Sequence, residues 1–335
     1  MPVRLHALRI PVLVAILLAL AGGFARAQEP ALTAEALVSS VVRVKTFINP
    51  DARTIENLGR EREGSGVVID GDGLVLTIGY LMVEAHAAEV TTHDGRAVPA
   101  NIVGYDHETG FGLLQAIAPL KVTPLRLGRS AALRAGDAAI IVGAGGLDRV
   151  APVRIAATRE FAGSWEYLID AALFTTPPYP DWSGAALVGR EGTLVGIGSL
   201  IVRDTMGDGS GPPGNMFVPI DLLPPILADL IADGRSATPA RPWLGVNAEE
   251  IGGRLVVARV TSRSPAEKAG IARGDVIARV AGAEPRNLAD FYRRLWAIGP
   301  AGVSVPLDIE RGGDRRTLAV PSMNRLDHLK LKSTF

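Results

Sequence analysis

Hydrophobic and polar residues alternate over short segments along most of the chain, which is the pattern of half-buried β-strands. Gly71-Asp72-Gly73 separates two such segments and supplies the positive φ angle that a tight hairpin needs. Turn residues recur at the spacing of an antiparallel barrel or sandwich, not of alternating strands and helices. The predicted strands are Ser40–Phe47, Gly66–Asp70, Leu74–Thr77, Ala88–Thr92, Ala97–Tyr105, Gly112–Ile117, Ala138–Gly143, Val150–Thr158, Tyr167–Phe174, Ala185–Val188 and Thr193–Ile201.

A change of pattern after residue 223 divides the chain into two predicted domains. An amphipathic helix at Pro224–Ala232 precedes a segment rich in Gly, Pro, Ser and Thr, which is typical of a linker. We predict a first domain over 28–235, a linker over 236–242, a second domain over 243–322 and a loose polar tail over 323–335. Within the second domain we predict strands at Leu255–Val260, Val276–Val280, Val303–Glu310 and Arg316–Val320, and helices at Pro265–Ala269 and Leu288–Ala297.

The first 27 residues have the pattern of a cleaved secretion signal. Arg4 and Arg9 precede a short apolar run, and Ala25-Arg26-Ala27 has the small-x-small form of a signal peptidase site. A membrane anchor is the alternative, but the run Ile10–Leu20 is shorter than the roughly 20 residues that a spanning helix needs. We therefore expect cleavage near Ala27, a periplasmic location, and no stable membrane span afterwards.

Composition excludes several classes of function. The 335-residue chain is 47% hydrophobic and has no cysteine, which excludes disulfides and thiol nucleophiles. The predicted signal holds three arginines and no acid, so the remainder carries 32 basic against 35 acidic side chains. That balance does not indicate a nucleic-acid partner. No two histidines have metal-ligand spacing, and no phosphate-binding loop follows a strand, so we predict neither metal nor cofactor.

The segment Gly64–Thr77 starts with Gly-Ser-Gly, continues as a strand, turns at Asp-Gly and ends in Leu-Thr. It resembles the hairpin that leads to the catalytic histidine in the HtrA/Deg family of serine proteases. In that family the histidine stands where this chain has Tyr80. The resemblance implies an all-β dominated chain, with two antiparallel six-stranded β-barrels of the chymotrypsin/trypsin-like fold followed by a PDZ domain.

Two further segments resemble the other catalytic landmarks of that family. Gly104–Leu114 is similar to the run that holds the catalytic aspartate, and Gly110 stands at the position of that aspartate. Asp181–Leu187 is similar to the loop of the catalytic serine, and it keeps Ser183 and Gly184. The resemblance therefore assigns the nucleophile position to Ser183 and finds both of its activating partners replaced.

The replacements bear directly on the chemistry. A serine hydroxyl is a poor nucleophile unless a base removes its proton, and in the triad a carboxylate orients that base. Tyr80 has a phenol that titrates near pH 10 in a peptide, and Gly110 has no side chain. We therefore predict that Ser183 is a vestigial nucleophile. His86 and His107 are candidates for a displaced base, although surface positions are the simpler interpretation.

The loop before the serine is altered as well. The family has glycine where this chain has Asp181, and the N–H of that glycine helps to form the oxyanion hole. Either the carboxylate of Asp181 lies near the pocket and repels an oxyanion, or Asp181 is a turn residue that faces solvent. Trp182 is a candidate to fill the substrate cleft.

The second domain carries the most specific motif of the chain. Ser264–Ile271 and the following Gly274–Ile277 resemble the PDZ domain of HtrA-type proteases almost residue for residue. The resemblance implies that the N–H groups of a loop receive a peptide C-terminus. The residues predicted to bind peptide are Trp243, Leu244, Gly245 and Val246 in this loop and Leu288, Phe291 and Leu295 on the predicted helix, which are alternatively core residues.

Three functions are consistent with these residues. The first is an exported HtrA-like pseudoprotease that binds C-terminal or unfolded peptide segments, in envelope protein quality control or as a regulator or adaptor of an active protease. The second is an active serine endopeptidase that uses Ser183 with a non-standard base. The third is a structural subunit. The resemblance also implies oligomers, as a homo-trimer or as a hetero-oligomer with an active relative.

Overall fold

The computed structural model describes residues 33–331. The predicted signal segment therefore lies outside the described residues. Helix α1 (Ala34–Ser39) leads into the chain, and its first turn is capped by the hydroxyl of Thr33, which accepts the N–H of Ala36. In residues 33–331 every helix is too short or too polar to cross a bilayer.

The first six strands close into an antiparallel barrel. Its interior is filled by branched aliphatic side chains such as Val44, Val75 and Leu114, all fully buried. Strand pairing runs in the order β1-β2-β3-β6-β5-β4, and the short helix α2 (Ile55–Leu58) connects the first two strands. The strands are β1 (Val41–Ile48), β2 (Glu61–Val68), β3 (Leu74–Ile78), β4 (Ala85–Thr91), β5 (Ala97–Tyr105) and β6 (Phe111–Ala116).

The next six strands close into a second barrel, in the order β10-β11-β12-β9-β8-β7. Ile141, Leu187 and Phe217 are fully buried in its core. The strands are β7 (Ala138–Val142), β8 (Val150–Gly163), β9 (Tyr167–Thr176), β10 (Ala186–Val188), β11 (Leu194–Val202) and β12 (Gly214–Pro219). Helix α3 (Pro224–Asp233) follows and ends at Gly234, whose left-handed φ of 71° terminates the helix. We call residues 34–233 the barrel domain.

The C-terminal domain (243–321) is a five-stranded antiparallel sheet with two helices. Strands pair in sequence order, which leaves β13 at one edge of the sheet. Ser264 and Asn287 cap the two helices through their side-chain oxygens. The elements are β13 (Val246–Ile251), β14 (Arg254–Val260), α4 (Pro265–Lys268), β15 (Val276–Val280), α5 (Leu288–Trp296), β16 (Ser304–Arg311) and β17 (Asp314–Pro321). Two barrels followed by this small β domain confirm the predicted fold class.

The β8–β9 hairpin is longer than the sequence pattern predicts. The strands were expected to end at Thr158 and to resume at Tyr167, yet pairing continues to the Gly163–Tyr167 pair. Glu166 closes the three-residue loop with a positive φ of 58°, which a three-residue hairpin loop requires at its last position. The hairpin therefore projects its tip beyond the barrel and into the C-terminal domain.

Residues 324–331 are docked, in contrast to the loose tail that the sequence suggested. Helix α6 (Arg325–His328) packs beside Trp243, whose ring centre lies 4.8 Å from that of His328. The Lys330 N–H donates to the carboxylate of Glu84 at 2.7 Å. Burial, together with the neighbouring cation Arg53 and against the opposing charge of Glu84, lowers the pKa of His328 to about 4. The C-terminal segment therefore docks with a neutral imidazole.

Candidate functional site

Tyr80 lies on the single helical turn Gly79–Leu81 that follows β3. The buried guanidinium of Arg62 on β2 donates to the carbonyl oxygens of Tyr80 at 2.8 Å and Val83 at 3.0 Å. Burial lowers the pKa of Arg62 to about 10, so the side chain stays charged at neutral pH, with Glu84 favouring the charge. The turn that carries Tyr80 is thus held by charge-assisted hydrogen bonds.

Ser183 lies in a loop that is hydrogen-bonded to both barrels. The Ser65 N–H of the first barrel donates to the Ser183 carbonyl at 2.8 Å, and the Gly184 N–H donates to Gly198 of the second barrel at 2.9 Å. Gly184 has a φ of +73°, and a Cβ at this residue would lie 1.9 Å from the Ser65 carbonyl oxygen. Only glycine fits this turn, and the turn fixes the position of the serine hydroxyl.

The Tyr80 phenol meets two partners. Its Oη lies 2.9 Å from Ser183 Oγ and 3.0 Å from the Ser199 carbonyl oxygen. A carbonyl only accepts, and a phenol has one proton. Both contacts are satisfied when Tyr80 donates to Ser199 and the Ser183 hydroxyl donates to the phenol oxygen. Burial raises the pKa of Tyr80 to about 12, against the opposing hydrogen bonds from Ser183 and Trp182, so the phenol is neutral and cannot take up the serine proton.

The segment at the aspartate position supplies no carboxylate to this site. Gly110 has a φ of +84°, and a Cβ there would lie 3.2 Å from the hydroxyl oxygen of Tyr167. That hydroxyl donates to the Thr109 carbonyl at 2.7 Å. The nearby Asp106 carboxylate accepts the N–H and the hydroxyl of Thr109, at 2.7 and 2.6 Å. Asp106 therefore closes its own turn, and Tyr167 occupies the space beside Gly110.

The remaining residues of the loop and the two histidines take other roles. The half-exposed carboxylate of Asp181 pairs with Arg149, which favours the interpretation of a turn residue. His86 is exposed on β4. His107 contacts Tyr105 Oη through Nδ1 at 3.1 Å and Arg325 through Nε2 at 2.7 Å. Burial, reinforced by Arg325, holds the pKa of His107 well below its usual value, and both ring nitrogens are engaged.

A cavity of about 520 Å³ opens beside Tyr80. Its wall is largely apolar, and residues of the barrel domain, the C-terminal domain and the docked C-terminal segment all contribute to it. The residues that matter here are Tyr80, Trp165, Trp182, Leu200, Asn247 and Leu329. The C-terminal domain and its following segment therefore form part of the wall of the cavity beside Tyr80, and Trp182 lies in the same wall.

The predicted carboxylate-binding loop is formed, and it holds a carboxylate. Gly245 has a φ of +83°, and a Cβ there would lie 2.3 Å from Ser264 Cβ, so the tight turn requires glycine. The N–H groups of Leu244, Gly245 and Val246 all donate to the side chain of Glu166, at 3.0, 2.7 and 2.9 Å. Glu166 was not identified from the sequence, because an acidic residue in a short turn carries no signal of such a role.

The other residues predicted to bind peptide lie in the interior of the C-terminal domain. Leu288, Phe291 and Leu295 are buried on α5 and belong to the core of the domain. Trp243 is also buried, against His328. In the observed conformation these side chains pack as core residues, and their role toward a peptide stays a prediction.

Two family models match the chain. Residues 64–197 match the trypsin-like peptidase domain, and residues 242–321 match the PDZ domain. The chain is 31% identical to HhoA of Synechocystis over 290 residues, covering 77% of this chain and 70% of HhoA. It is 28% identical to the serine protease PepD of Mycobacterium tuberculosis, covering 84% and 65% of the two chains. It is also 28% identical to the periplasmic serine endoprotease DegP of Escherichia coli, covering 75% and 54%. The chain thus spans between about half and 70% of the length of these relatives.

Solved structures agree on the fold. The structure of the HtrA-type protease AlgW with a decapeptide superposes with a TM-score of 0.53 at 24% identity, covering 87% of this chain and 98% of AlgW. The serine endoprotease from Yersinia pestis superposes with a TM-score of 0.50 at 22% identity, covering 87% of this chain and 97% of that protein. At these identities the likeness supports the two-barrel and PDZ architecture and nothing finer.

Proposed function

The chain belongs to the HtrA/Deg family of trypsin-like serine proteases with a PDZ domain, and from that premise we propose that it is a member that binds peptides without cleaving them. Its ligands in this proposal are C-terminal or unfolded peptide segments. The observation that carries the proposal is the hydrogen bond between Ser183 and the neutral phenol of Tyr80, where the family has its catalytic histidine.

The chemical reason is the absence of a base that could activate Ser183. In the described residues, the Ser183 hydroxyl is hydrogen-bonded to Tyr80 Oη, and burial keeps the phenol neutral. Mutation of one member of a serine protease triad costs about four orders of magnitude or more in rate. Both activating positions differ here, since Gly110 offers no carboxylate to orient a base. Hydrolysis is therefore expected to be slower than that of an intact triad by about four orders of magnitude or more.

The PDZ domain supports the binding half of the proposal. The loop at Leu244–Val246 directs three backbone N–H groups at one carboxylate, which is how such loops hold a peptide C-terminus. Strand β13 lies at the sheet edge, where an extended peptide can add as a further strand. Both features depend on the backbone and not on the altered catalytic residues.

The proposed location is the periplasm, because the relative DegP of Escherichia coli is a periplasmic serine endoprotease. There the protein would serve envelope protein quality control, or regulate an active protease of the family as its adaptor. A homo-trimer, or a hetero-oligomer with an active relative, is the form of assembly that we propose on the family resemblance. Sedimentation of the purified chain, alone and mixed with an active relative, measures this directly.

Labelling with a fluorophosphonate tests the catalytic half. The full chain, the Ser183→Ala variant and an active family protease are incubated with the probe and with unfolded casein. We expect the chain to match Ser183→Ala in both labelling and cleavage, while the active protease reacts. Labelling at Ser183 with cleavage that disappears in Ser183→Ala would instead establish the alternative, an endopeptidase with a non-standard base.

Light scattering tests the binding half. An aggregating unfolded substrate is followed with and without the full chain, with an equal mass of serum albumin as the control. We expect the chain to suppress aggregation because it binds exposed segments. Scattering that is no lower than with albumin would contradict a chaperone role and favour a purely structural subunit.

A further inference from the structure

The hairpin tip Gly163–Glu166 occupies the place of a peptide ligand in the PDZ domain. We call these four residues the latch. The Glu166 carboxylate accepts the N–H groups of Leu244, Gly245 and Val246, and the residue is only 4% exposed. Three donors converging on one carboxylate form a complete anion site. The site is therefore filled by a side chain of the same protein.

The backbone of the latch is hydrogen-bonded to the two elements that border the peptide groove. The Ala248 N–H of the edge strand β13 donates to the Ser164 carbonyl at 3.1 Å. On the other side, the Tyr292 hydroxyl of α5 donates to the Gly163 carbonyl at 2.7 Å and accepts the Glu166 N–H at 3.1 Å. The latch thus lies between β13 and α5, the two elements that border a peptide groove.

Contacts on both flanks hold the latch in place. Arg293 of α5 pairs with Glu160 on one strand of the hairpin and Asp170 on the other. Arg325 donates to the Trp165 carbonyl at 2.9 Å. Ala162 and Leu168, next to the latch on either strand, pack against the core of the PDZ domain. The closed arrangement therefore combines ion pairs, backbone hydrogen bonds and apolar packing.

We propose that the latch is an internal competitor of the PDZ domain, so that an external C-terminal peptide binds only when the latch leaves the groove. This inference rests on the proposed peptide binding at the same site. The two ligands exclude each other because each needs the same three N–H groups and the same edge of β13.

Displacement of the latch has a consequence at the cavity beside Tyr80. Trp165 belongs to the latch and forms part of the wall of the cavity beside Tyr80 and Trp182. Arg325, which holds the Trp165 carbonyl, lies in the same wall. Entry of a peptide into the PDZ groove therefore removes one side of the cavity beside Tyr80. In this proposal the latch has two positions, inside and outside the PDZ groove, and its position couples the two domains.

The latch is suited to reversible release. Full burial of Glu166 raises its pKa to about 7, while the three N–H groups and Arg325 lower it. The cost of burying the carboxylate offsets much of what its hydrogen bonds contribute, as in other buried charged sites. A competitor in the same chain weakens peptide binding, because the apparent Kd equals the intrinsic Kd divided by the fraction of molecules whose groove is open.

Hydrogen exchange of the full chain tests the latch without any ligand. We compare the wild type with Glu166→Ala and with Tyr292→Phe, which keeps the aromatic ring. Glu191→Ala, in the exposed turn between β10 and β11, is the matched control. We expect amides in the fragment 243–250 to exchange at least tenfold faster in both latch variants, while fragments of β10 and β11 stay unchanged.

The proposal is overturned if the fragment 243–250 exchanges as fast in the wild type as in the latch variants. If Glu166→Ala unfolds as a whole, shown by faster exchange in β10 and β11, the same comparison with Tyr292→Phe decides. The control variant must match the wild type, since a general effect of removing a glutamate would appear there as well.

Peptide titration then tests the competition. The probe is a pool of fluorescent decapeptides with a free C-terminal Val, Leu or Phe, and a C-terminally amidated pool is its control. We expect Glu166→Ala to bind the free-acid pool at least tenfold more tightly than the wild type and Glu191→Ala. Equal affinity of wild type and Glu166→Ala overturns the competition. If no form of the protein binds the peptides, the proposed peptide-binding function is contradicted. Slow exchange of the fragment 243–250 in the wild type would in that case still show that the latch occupies the groove.

Discussion

Tyr80 and Ser183 are joined by a hydrogen bond, and a double-mutant cycle measures how much that bond contributes to stability. Tyr80→Phe leaves the Ser183 hydroxyl and the Ser199 carbonyl without the phenol that lies 2.9 and 3.0 Å from them. A buried polar group left without its partner costs about 1–3 kcal/mol. We expect Tyr80→Phe to lower the free energy of unfolding by that amount, and Ser183→Ala to lower it by about 0.5–1.5 kcal/mol.

The double variant is expected to lose less than the sum of the two single variants. Once Ser183 has no hydroxyl, the Tyr80→Phe change leaves only the Ser199 carbonyl unsatisfied, so a coupling of about 0.5–1.5 kcal/mol follows. Guanidinium unfolding of the full chain, followed by circular dichroism, gives the four free energies. Thr123→Ala, at an exposed residue between β6 and β7, is the control and should change stability by less than about 0.5 kcal/mol. Additivity within about 0.3 kcal/mol would refute the hydrogen bond.

Two further predictions concern the serine loop and the C-terminal segment. Gly184→Ala places a Cβ 1.9 Å from the Ser65 carbonyl, whereas Gly253→Ala, with the same φ of +73°, meets no atom within 4 Å. We expect the first to abolish folding or cost more than about 4 kcal/mol and the second to cost about 1–2 kcal/mol in thermal unfolding, and similar losses would contradict the geometry. His328 should titrate near pH 4 by NMR, since burial lowers its pKa to about 4. When the C-terminal segment is undocked, the His328 imidazole takes up a proton near pH 6.5. Docking of the segment therefore weakens as pH falls from about 6.5 to about 4. A His328 titration near 6.5 would contradict burial, and His328→Gln should reduce the pH dependence, leaving the part that comes from His107 beside Arg325.

The fold followed from the sequence because its signals are local. Alternating strands and turn residues predicted an antiparallel barrel or sandwich, the family resemblance implied two six-stranded barrels, and the PDZ-like motif at Ser264–Ile271 located the second domain. The length of the β8–β9 hairpin was not predicted, because residues 159–166 lack regular alternation. Their extended pairing is stabilised by a second domain that lies elsewhere in the chain, which no local pattern records.

The sequence by itself determined that a tyrosine, Tyr80, and a glycine, Gly110, stand where the family resemblance places a base and a carboxylate. Only the tertiary structure decided what the remaining groups do. It paired the Ser183 hydroxyl with a phenol, turned Asp181 toward Arg149, and placed Glu166 in the carboxylate-binding loop. Glu166 and that loop are about 80 residues apart along the chain. Hydrogen bonds act over about 3 Å, and which distant groups come within that range depends on how the domains pack.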